Sequence, residues 1–418
     1  MQESVKIAPL DDFLACVHCG LCLSACPTYV ETGSEAESPR GRIVLMKAIE
    51  QGELTIDAGV ARHLDLCLGC RACETACPSG VEYGALIEGA RRHMAASAPR
   101  SGRDRRRRHL LARWLPDAHR LAPIAGLLRL ASRLRLWRLS RAPWAPRTLR
   151  RLAALIPDAA RAGRLPAVLE PQGPPRATVA LLTGCVAQAL FARVNELTAR
   201  LLVQAGYRVL IPRGQVCCGA LLAHLGEGAE AQRRARRNVN AFLRDEPDFV
   251  VTNAAGCGAM MREYGRWLDA EADYANGAKK LAAKVRDVTE LLAAAPLAAT
   301  HEVCARVAYH DACHLVHGQG VRSEPRALLR AIPGLELVEL ADGELCCGSA
   351  GTYNLTEPEM AWRLGERKAD AVLASGAQIV AAGNPGCILQ IRAALRLRGH
   401  DLPVLHPVEI LARAHGLA

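Results

Sequence analysis

Eight cysteines fall into two copies of the run C-x2-C-x2-C-x3-C-P: Cys16, Cys19, Cys22 and Cys26 before Pro27, then Cys67, Cys70, Cys73 and Cys77 before Pro78. Thiolates are soft ligands that favour iron-sulfur chemistry, and this spacing suits [4Fe-4S] cubes. Three thiolates at two-residue intervals on a tight loop reach three irons of one cube. The fourth, set off by a longer step and a chain-turning proline, ligates the other cube. Cys16, Cys19, Cys22 and Cys77 then hold one cluster, and Cys26, Cys67, Cys70 and Cys73 the other, so each forms only when both segments fold together. Zinc sites pair C-x2-C units, and disulfide frameworks belong to short secreted chains. Neither accounts for a repeated four-cysteine run with its proline.

Eight further cysteines form a second pattern. Cys185, the pair Cys217-Cys218 before Gly219, and Cys257 recur as Cys313, Cys346-Cys347 before Gly348, and Cys387, at offsets of 128, 129, 129 and 130 residues. Only Cys304 lies outside both patterns. Three readings stand for this duplicated set: four thiolates per repeat holding an iron-sulfur cluster or zinc, a redox-active thiol pair, or buried cysteines acting as small apolar residues. His310, Asp311 and His314 flank Cys313, where the first repeat has Thr183 and Gln188. An imidazole there tunes a cluster's potential or carries a proton, or is simply a hydrogen-bonded polar group at a strand end.

The elements that must position these thiols divide the chain into four. Residues 1–95 carry the paired runs, with one helix expected over Pro39 to Gly52, where a proline opens and a glycine closes an apolar helical stripe, and another over Tyr83 to Met94. Residues 96–175 are an arginine-rich helical connector that Pro116, Pro123, Pro143 and Pro146 are expected to cut into short pieces. Residues 176–300 and 301–418 are the two Cys-Cys-Gly repeats. Each alternates apolar strand runs (TVALLTGC, YRVLIP and DFVVTNAAGC; RVAYHDAC, LELVEL and AQIVAAGNPGC) with helical stretches, including Val194 to Gln204 and about 219–243. That alternation implies parallel α/β units. Each lone cysteine is expected at the carboxyl end of a strand, the edge where open α/β sheets bind ligands.

At 418 residues the chain has room for two or three domains. No apolar run reaches membrane-spanning length, and the start MQESVKIAPLDD lacks secretory zones. The expected setting is reduced and cytoplasmic, where thiol clusters mean metal or redox chemistry more often than disulfides. The net charge of +11 is regional: Arg91 to Glu170 holds twenty Arg against four acidic residues, a local +16. Arginines beside Trp114, Trp137 and Trp144 suit a surface lying on anionic headgroups or an acidic partner, or a solvated linker wrapped on the protein itself. No nucleic-acid motif accompanies the charge.

With these motifs placed, the chain resembles the iron-sulfur subunit of bacterial glycolate oxidase. The stretches ACVHCGLCLSACPTY, SPRGRIVLMKAIEQGE and HLDLCLGCRACETACPSGVEY carry the resemblance, with the two Cys-Cys-Gly repeats following in order. Relatives of the same plan serve anaerobic glycerol-3-phosphate dehydrogenase and heterodisulfide reductase. The resemblance implies an N-terminal α-helical dicluster ferredoxin domain followed by two α/β repeats. It also implies an electron-transfer role: FAD-containing partner subunits oxidise glycolate to glyoxylate, and this chain passes electrons toward a membrane quinone from the inner face of the cytoplasmic membrane. In heterodisulfide reductase-like members another cysteine follows the last by three residues. Met260 and Gln390 stand there here, which leaves four thiolates per repeat and counts against the five-cysteine cluster of those relatives, with a plain cluster in one or both repeats, or none, still open. No G-x-G-x-x-G follows a strand and opens a helix, so no flavin is expected on this chain. Hydride abstraction from a hydroxy acid needs an organic acceptor, which assigns that step to a partner. Lactate, glycerol 3-phosphate or another 2-hydroxy acid is the alternative electron source, and a redox-sensing iron-sulfur protein the alternative class.

Overall fold

A computed structural model describes residues 6–157, 163, 165–295 and 297–417. The first five residues, part of the start read for secretory zones, and residues 158–162 and 164 of the connector lie outside the described residues, as do Pro296 and Ala418.

In the N-terminal segment the capping chemistry is local. The Ser38 hydroxyl accepts from the Gly41 amide at 2.9 Å and opens helix Pro39–Glu50, with Pro39 at its first position, where a missing N–H costs nothing. Ile43, Met46 and Ile49 share one buried face. Asp57 caps helix Ala58–Asp65 by accepting from the Val60 amide at 2.8 Å. Helix Tyr83–Ser97 buries Leu86, Ile87, Ala90 and Met94 against both, and Cys67 and Cys73 sit in the same core. Both helices expected here are present, each ending within three residues of its expected limit.

The connector is helical as expected: Gly102–Trp114, Ala118–Arg133, the short 3-10 turn Leu136–Arg141, and Arg147–Ala154. One expectation is corrected. Pro123 does not break the chain but lies inside helix Ala118–Arg133. It is the sixth residue there, so its missing N–H forfeits the bond to the His119 carbonyl, and the burial of Leu121 and Ala125 on either side holds the helix together. Helix Gly102–Trp114 buries none of its residues and is held by charge: Arg100 reaches Asp65 at 2.8 and 3.2 Å, and Arg107 and Arg108 pair with Asp104. Farther along, the Arg396 guanidinium lies 4.8 Å from the Trp137 ring and donates to the Ile156 carbonyl at 2.6 Å. The connector is thus wrapped on the protein, yet one stripe of helix Ala118–Arg133 and the residue after it faces out. Ile124, Leu127, Leu130 and Leu134 are 40, 68, 53 and 62% exposed.

The repeats are the expected parallel α/β units. The first sheet orders β1 (Val168–Leu169), β3 (Tyr207–Leu210), β2 (Ala177–Leu181), β4 (Phe249–Thr252) and β5 (Val285–Asp287), all parallel except the β1–β3 pair. The second orders β7 (Leu335–Glu339), β6 (Ala305–His310), β8 (Ile379–Ala382) and β9 (Val404–Leu405), all parallel. One apolar core joins the repeats: Val179, Leu181 and Val209 of the first sheet share it with Val307, Tyr309 and Ala381 of the second. The other face of the first sheet packs with Cys185, Cys217 and Cys218, and that of the second with Cys347 and Cys387.

The lone cysteines need a correction. The strands stop earlier than expected, so Cys185 precedes helix Val186–Leu190, Cys313 begins helix Cys313–Gln319, and Cys257 and Cys387 lie in the first turns of Ala255–Arg262 and Pro385–Leu397. The apolar run continues past the last ladder bond and turns into the next helix. Likewise the helix expected over about 219–243 is two, Ala220–Leu225 and Gly228–Leu243, divided at Gly226 in a left-handed conformation.

Candidate redox and metal centres

The two N-terminal cysteine loops share one backbone design. In each, the residues on either side of the second cysteine are left-handed: His18 and Gly20 around Cys19, Gly69 and Arg71 around Cys70, with φ of 56°, 84°, 65° and 65°. Each loop spends one glycine there, at opposite positions, and holds one larger residue in a conformation it rarely adopts. Two such residues turn the chain sharply around the second cysteine of each run.

Cys26, Cys67, Cys70 and Cys73 line a single cavity with Thr28, Arg42 and Tyr83. This is the crossed set expected from the spacing. Its sulfurs are already supplied with partners: the Gly69 amide donates to Cys67 Sγ at 3.3 Å, the Tyr83 hydroxyl to the same atom at 3.6 Å, and Thr28 Oγ1 lies 3.3 Å from Cys26 Sγ. Burial pushes the Cys70 and Cys73 thiols well up, each reinforced by neighbouring cysteines, so cations are needed to hold four thiolates there. Arg42 supplies one. It is 1% exposed, pairs with Glu37 at 2.6 Å, and donates to Thr28 Oγ1 at 3.0 Å and the His63 carbonyl at 2.7 Å. The donor set and its partners fit a [4Fe-4S] cube.

The other set is nearer the surface. Cys16, Cys22 and Cys77 are half-buried against the N-terminal core, and Cys19 is exposed. Leu14, Val17 and Leu21 beside them are 55, 67 and 59% exposed.

In the first repeat all four cysteines come together. Cys185 and Cys217 Sγ are 3.4 Å apart, Cys217 also bonds Cys218, and Cys218 bonds Cys257. Hydrogen bonds from Cys185 and Cys218 hold the Cys217 thiol well below its usual range against the opposing effect of burial. The second repeat matches: Cys313 bonds Cys346, Cys346 bonds Cys347, and Cys347 bonds Cys387. The glycine after each pair is obligatory. Gly219 and Gly348 have φ of 98° and 86°, and a Cβ on Gly348 would stand 2.4 Å from the Ala361 carbonyl oxygen. The fifth-ligand positions hold Met260, in the apolar core, and Gln390, whose amide donates to the Ala361 carbonyl at 2.9 Å.

The two kinds of centre meet. Cys70 packs in one apolar cluster with Cys313 and Cys346, among Leu66, Leu68, Tyr353 and Leu364. Around that contact the Cys70 loop is gripped by both repeats. His314 Nε2 lies 2.9 Å from the Gly69 carbonyl oxygen, Arg71 pairs with Glu74 and Glu263, and Arg91 donates to the Cys67 carbonyl at 2.5 Å and approaches His224. His224, Arg91, Glu263 and Tyr353 gave no signal in the sequence, because each is an isolated polar residue whose role comes from a partner far along the chain.

The residues flanking Cys313 divide. Asp311 is bound by Arg326 at 2.8 and 2.7 Å and is structural. His314 turns toward the Cys70 loop, while His310 faces Cys347 and Cys387. In the first repeat Gln188 accepts from Asn195 and the Thr183 amide donates to Gln215. Cys304 is exposed, with its Sγ 3.7 Å from the Glu302 carboxylate.

Comparison with known proteins follows this division. A 4Fe-4S dicluster domain family matches residues 12–81, and a cysteine-rich domain family matches residues 179–262 and again 307–392. The probable glycolate oxidase iron-sulfur subunit of Bacillus subtilis is 37% identical over 97% of this chain and 94% of its own length. The glycolate oxidase iron-sulfur subunit of Escherichia coli is 34% identical over 99% and 97%. Lactate utilization protein A of Oceanobacillus iheyensis is 32% identical over 56% of this chain and 96% of its own length.

Proposed function

From the premise that this chain belongs to the family of glycolate oxidase iron-sulfur subunits, we propose that it is the electron-transfer subunit of a glycolate-oxidising complex. FAD-containing partner subunits oxidise glycolate to glyoxylate, and electrons pass through this chain toward a membrane quinone. The observation that carries the reading is the cavity lined by Cys26, Cys67, Cys70 and Cys73, with Cys70 in one apolar cluster with Cys313 and Cys346 of the second repeat.

Iron-sulfur clusters in the two N-terminal thiol sets would supply one-electron carriers. The chain's own residues do the rest. Cys26, Cys67, Cys70 and Cys73 hold one cluster, with Arg42 and the Tyr83 hydroxyl offsetting its negative charge, and apolar side chains such as Leu66 and Leu68 keep water from it. Cys16, Cys19, Cys22 and Cys77 hold the second near the surface, where the exposed Leu14, Val17 and Leu21 offer a docking collar for a redox partner.

Among the described residues no helix is long and apolar enough to cross a membrane. The outward stripe Ile124, Leu127, Leu130 and Leu134, next to the exposed Arg133, Arg135 and Arg138, supports peripheral contact with an anionic membrane face. Similarity to Lactate utilization protein A supports the same relay fed by another hydroxy acid. It covers 56% of this chain, against 97% and 99% for the glycolate oxidase relatives.

The complex, purified anaerobically with its flavoprotein partners, tests the reading. Glycolate reduces the partner's flavin and a soluble quinone analogue in wild type. In Cys70→Ser the flavin is still reduced and quinone reduction falls at least about tenfold. Quinone reduction unchanged by that substitution, or a partner flavin that glycerol 3-phosphate reduces and glycolate does not, overturns it.

A further inference from the structure

His310 is the last residue of β6 and pairs in register with Ala382 of β8. It is fully buried, and neither ring nitrogen makes a well-formed hydrogen bond, although the Gly343 carbonyl lies near the ring. Leaving such a group unpaired in an apolar interior costs about 1–3 kcal/mol, so an imidazole retained there needs a reason. The surroundings give one. A ring nitrogen of His310, Cys347 Sγ and Cys387 Sγ all lie within 4.8 Å of one another. A tetrahedral zinc ion with sulfur at about 2.3 Å and nitrogen at about 2.0 Å sets its ligands roughly 3.6–3.8 Å apart, so a contraction of about 1 Å closes the shell.

We propose that the second repeat holds a zinc-type divalent ion ligated by His310, Cys347 and Cys387, with Cys346 closing the tetrahedron, so that the two repeats differ in their metal chemistry.

Three observations support this beyond the distances. The Gly343 carbonyl lies close to the ring, placed to orient it through the other nitrogen once the first is engaged. Lys368, 2% exposed and held by the Asp342 carbonyl at 2.5 Å and the Gly343 carbonyl at 3.3 Å, is a buried cation facing Cys346, Cys347 and Cys387. Asn384 donates to Cys387 Sγ at 3.5 Å.

The first repeat lacks these features. The residue at the same offset from its lone cysteine is Leu182, 2% exposed. The Ala231 and Ala361 carbonyls stand alike toward Gly219 and Gly348, and that helix register sets Asn238 opposite Lys368. Asn238 carries no charge and donates to the Cys217 carbonyl at 3.3 Å. With Cys346 drawn toward the ion, Cys313 remains the thiol that faces Cys70.

The test uses the full chain, purified anaerobically and dialysed against a chelator, with zinc and iron measured by mass spectrometry. Wild type should retain about one zinc beside its iron, and X-ray absorption at the zinc edge should show one nitrogen at about 2.0–2.1 Å with sulfur at about 2.3 Å. His310→Leu copies the packing of the first repeat. It should lower zinc affinity at least about tenfold against a chromophoric chelator, with iron content and the reduced-cluster paramagnetic signals unchanged. Cys387→Ser should do the same. Zinc absent from wild type, an all-sulfur shell, or His310→Leu with wild-type zinc affinity overturns the proposal. So does Cys387→Ser losing iron alone. Iron content and quinone reduction report on the electron-relay reading separately, so either can fail while the other stands.

Discussion

The Tyr353 hydroxyl donates to the Leu66 carbonyl at 2.9 Å, tying the chain just after the second repeat's cysteine pair to the residue immediately before Cys67. Both groups are buried, and burial pushes the Tyr353 hydroxyl's pKa well up, so it remains a donor throughout the working range. The bond fixes the distance between the Cys70 loop and the Cys346–Cys347 pair. Tyr353→Phe leaves the Leu66 carbonyl without its donor at little change in volume. The expected loss is about 1–2 kcal/mol. Hydrogen exchange should show it as faster exchange around Leu66 to Cys70, with iron content retained.

The crossed ligand sets make a second prediction, because substitutions far apart in sequence must damage the same cluster. Cys26→Ser should perturb the paramagnetic signal that Cys67→Ser perturbs, and Cys77→Ser the one that Cys16→Ser perturbs. Each single variant should keep about four of the eight irons if the protein tolerates the loss. If Cys26→Ser groups instead with Cys16→Ser, the sets are not crossed.

The sixteen patterned cysteines and the parallel α/β repeats were legible because their signals are local: fixed spacings, and apolar strand runs alternating with helical ones. Element ends were less so. The run DFVVTNAAGC looks like one strand to Cys257, yet the ladder stops at Thr252 and Cys257 enters a helix, since apolar residues serve strand end and helix start alike. Pro123 was expected to break a helix it occupies. The meeting of Cys70 with Cys346, and the separate destinations of His310, Asp311 and His314, depend on how domains dock, which periodicity does not encode.

His406 gives a prediction for pH. It is 1% exposed, its Nδ1 accepts from the Val408 amide at 3.1 Å, and burial lowers its pKa to about 4. The unfolded chain holds this histidine near 6.5, so it binds the proton more readily than the fold does. The stability that neutral His406 contributes is therefore complete above about pH 6.5 and is lost as pH falls from there toward 4. Between pH 7 and 5.5 the loss should be about 1 kcal/mol. His406→Asn keeps a capping acceptor without the titration. Denaturation of both proteins at the two pH values should show the wild type losing about 1 kcal/mol more than the variant. Equal losses would remove His406 as the cause.

Membrane contact is tested at the outward stripe. Leu127, Leu130 and Leu134 are spaced to share one helix face, and the exposed Arg133, Arg135 and Arg138 follow directly. Partial insertion of three leucines gains a fraction of the 1.5–3 kcal/mol that full burial of each would bring, and each arginine near an anionic surface adds about 1 kcal/mol. Wild type should therefore sediment with phosphatidylglycerol vesicles and much less with phosphatidylcholine vesicles, with binding weakened by raised salt. Leu127→Asp combined with Leu130→Asp should cut binding to the anionic vesicles at least about tenfold while leaving iron content unchanged. Arg133→Glu with Arg138→Glu should remove the preference for anionic lipid and leave the apolar contribution in place. Equal sedimentation with both vesicle types, or Asp variants that bind like wild type, would assign the stripe to a protein partner instead.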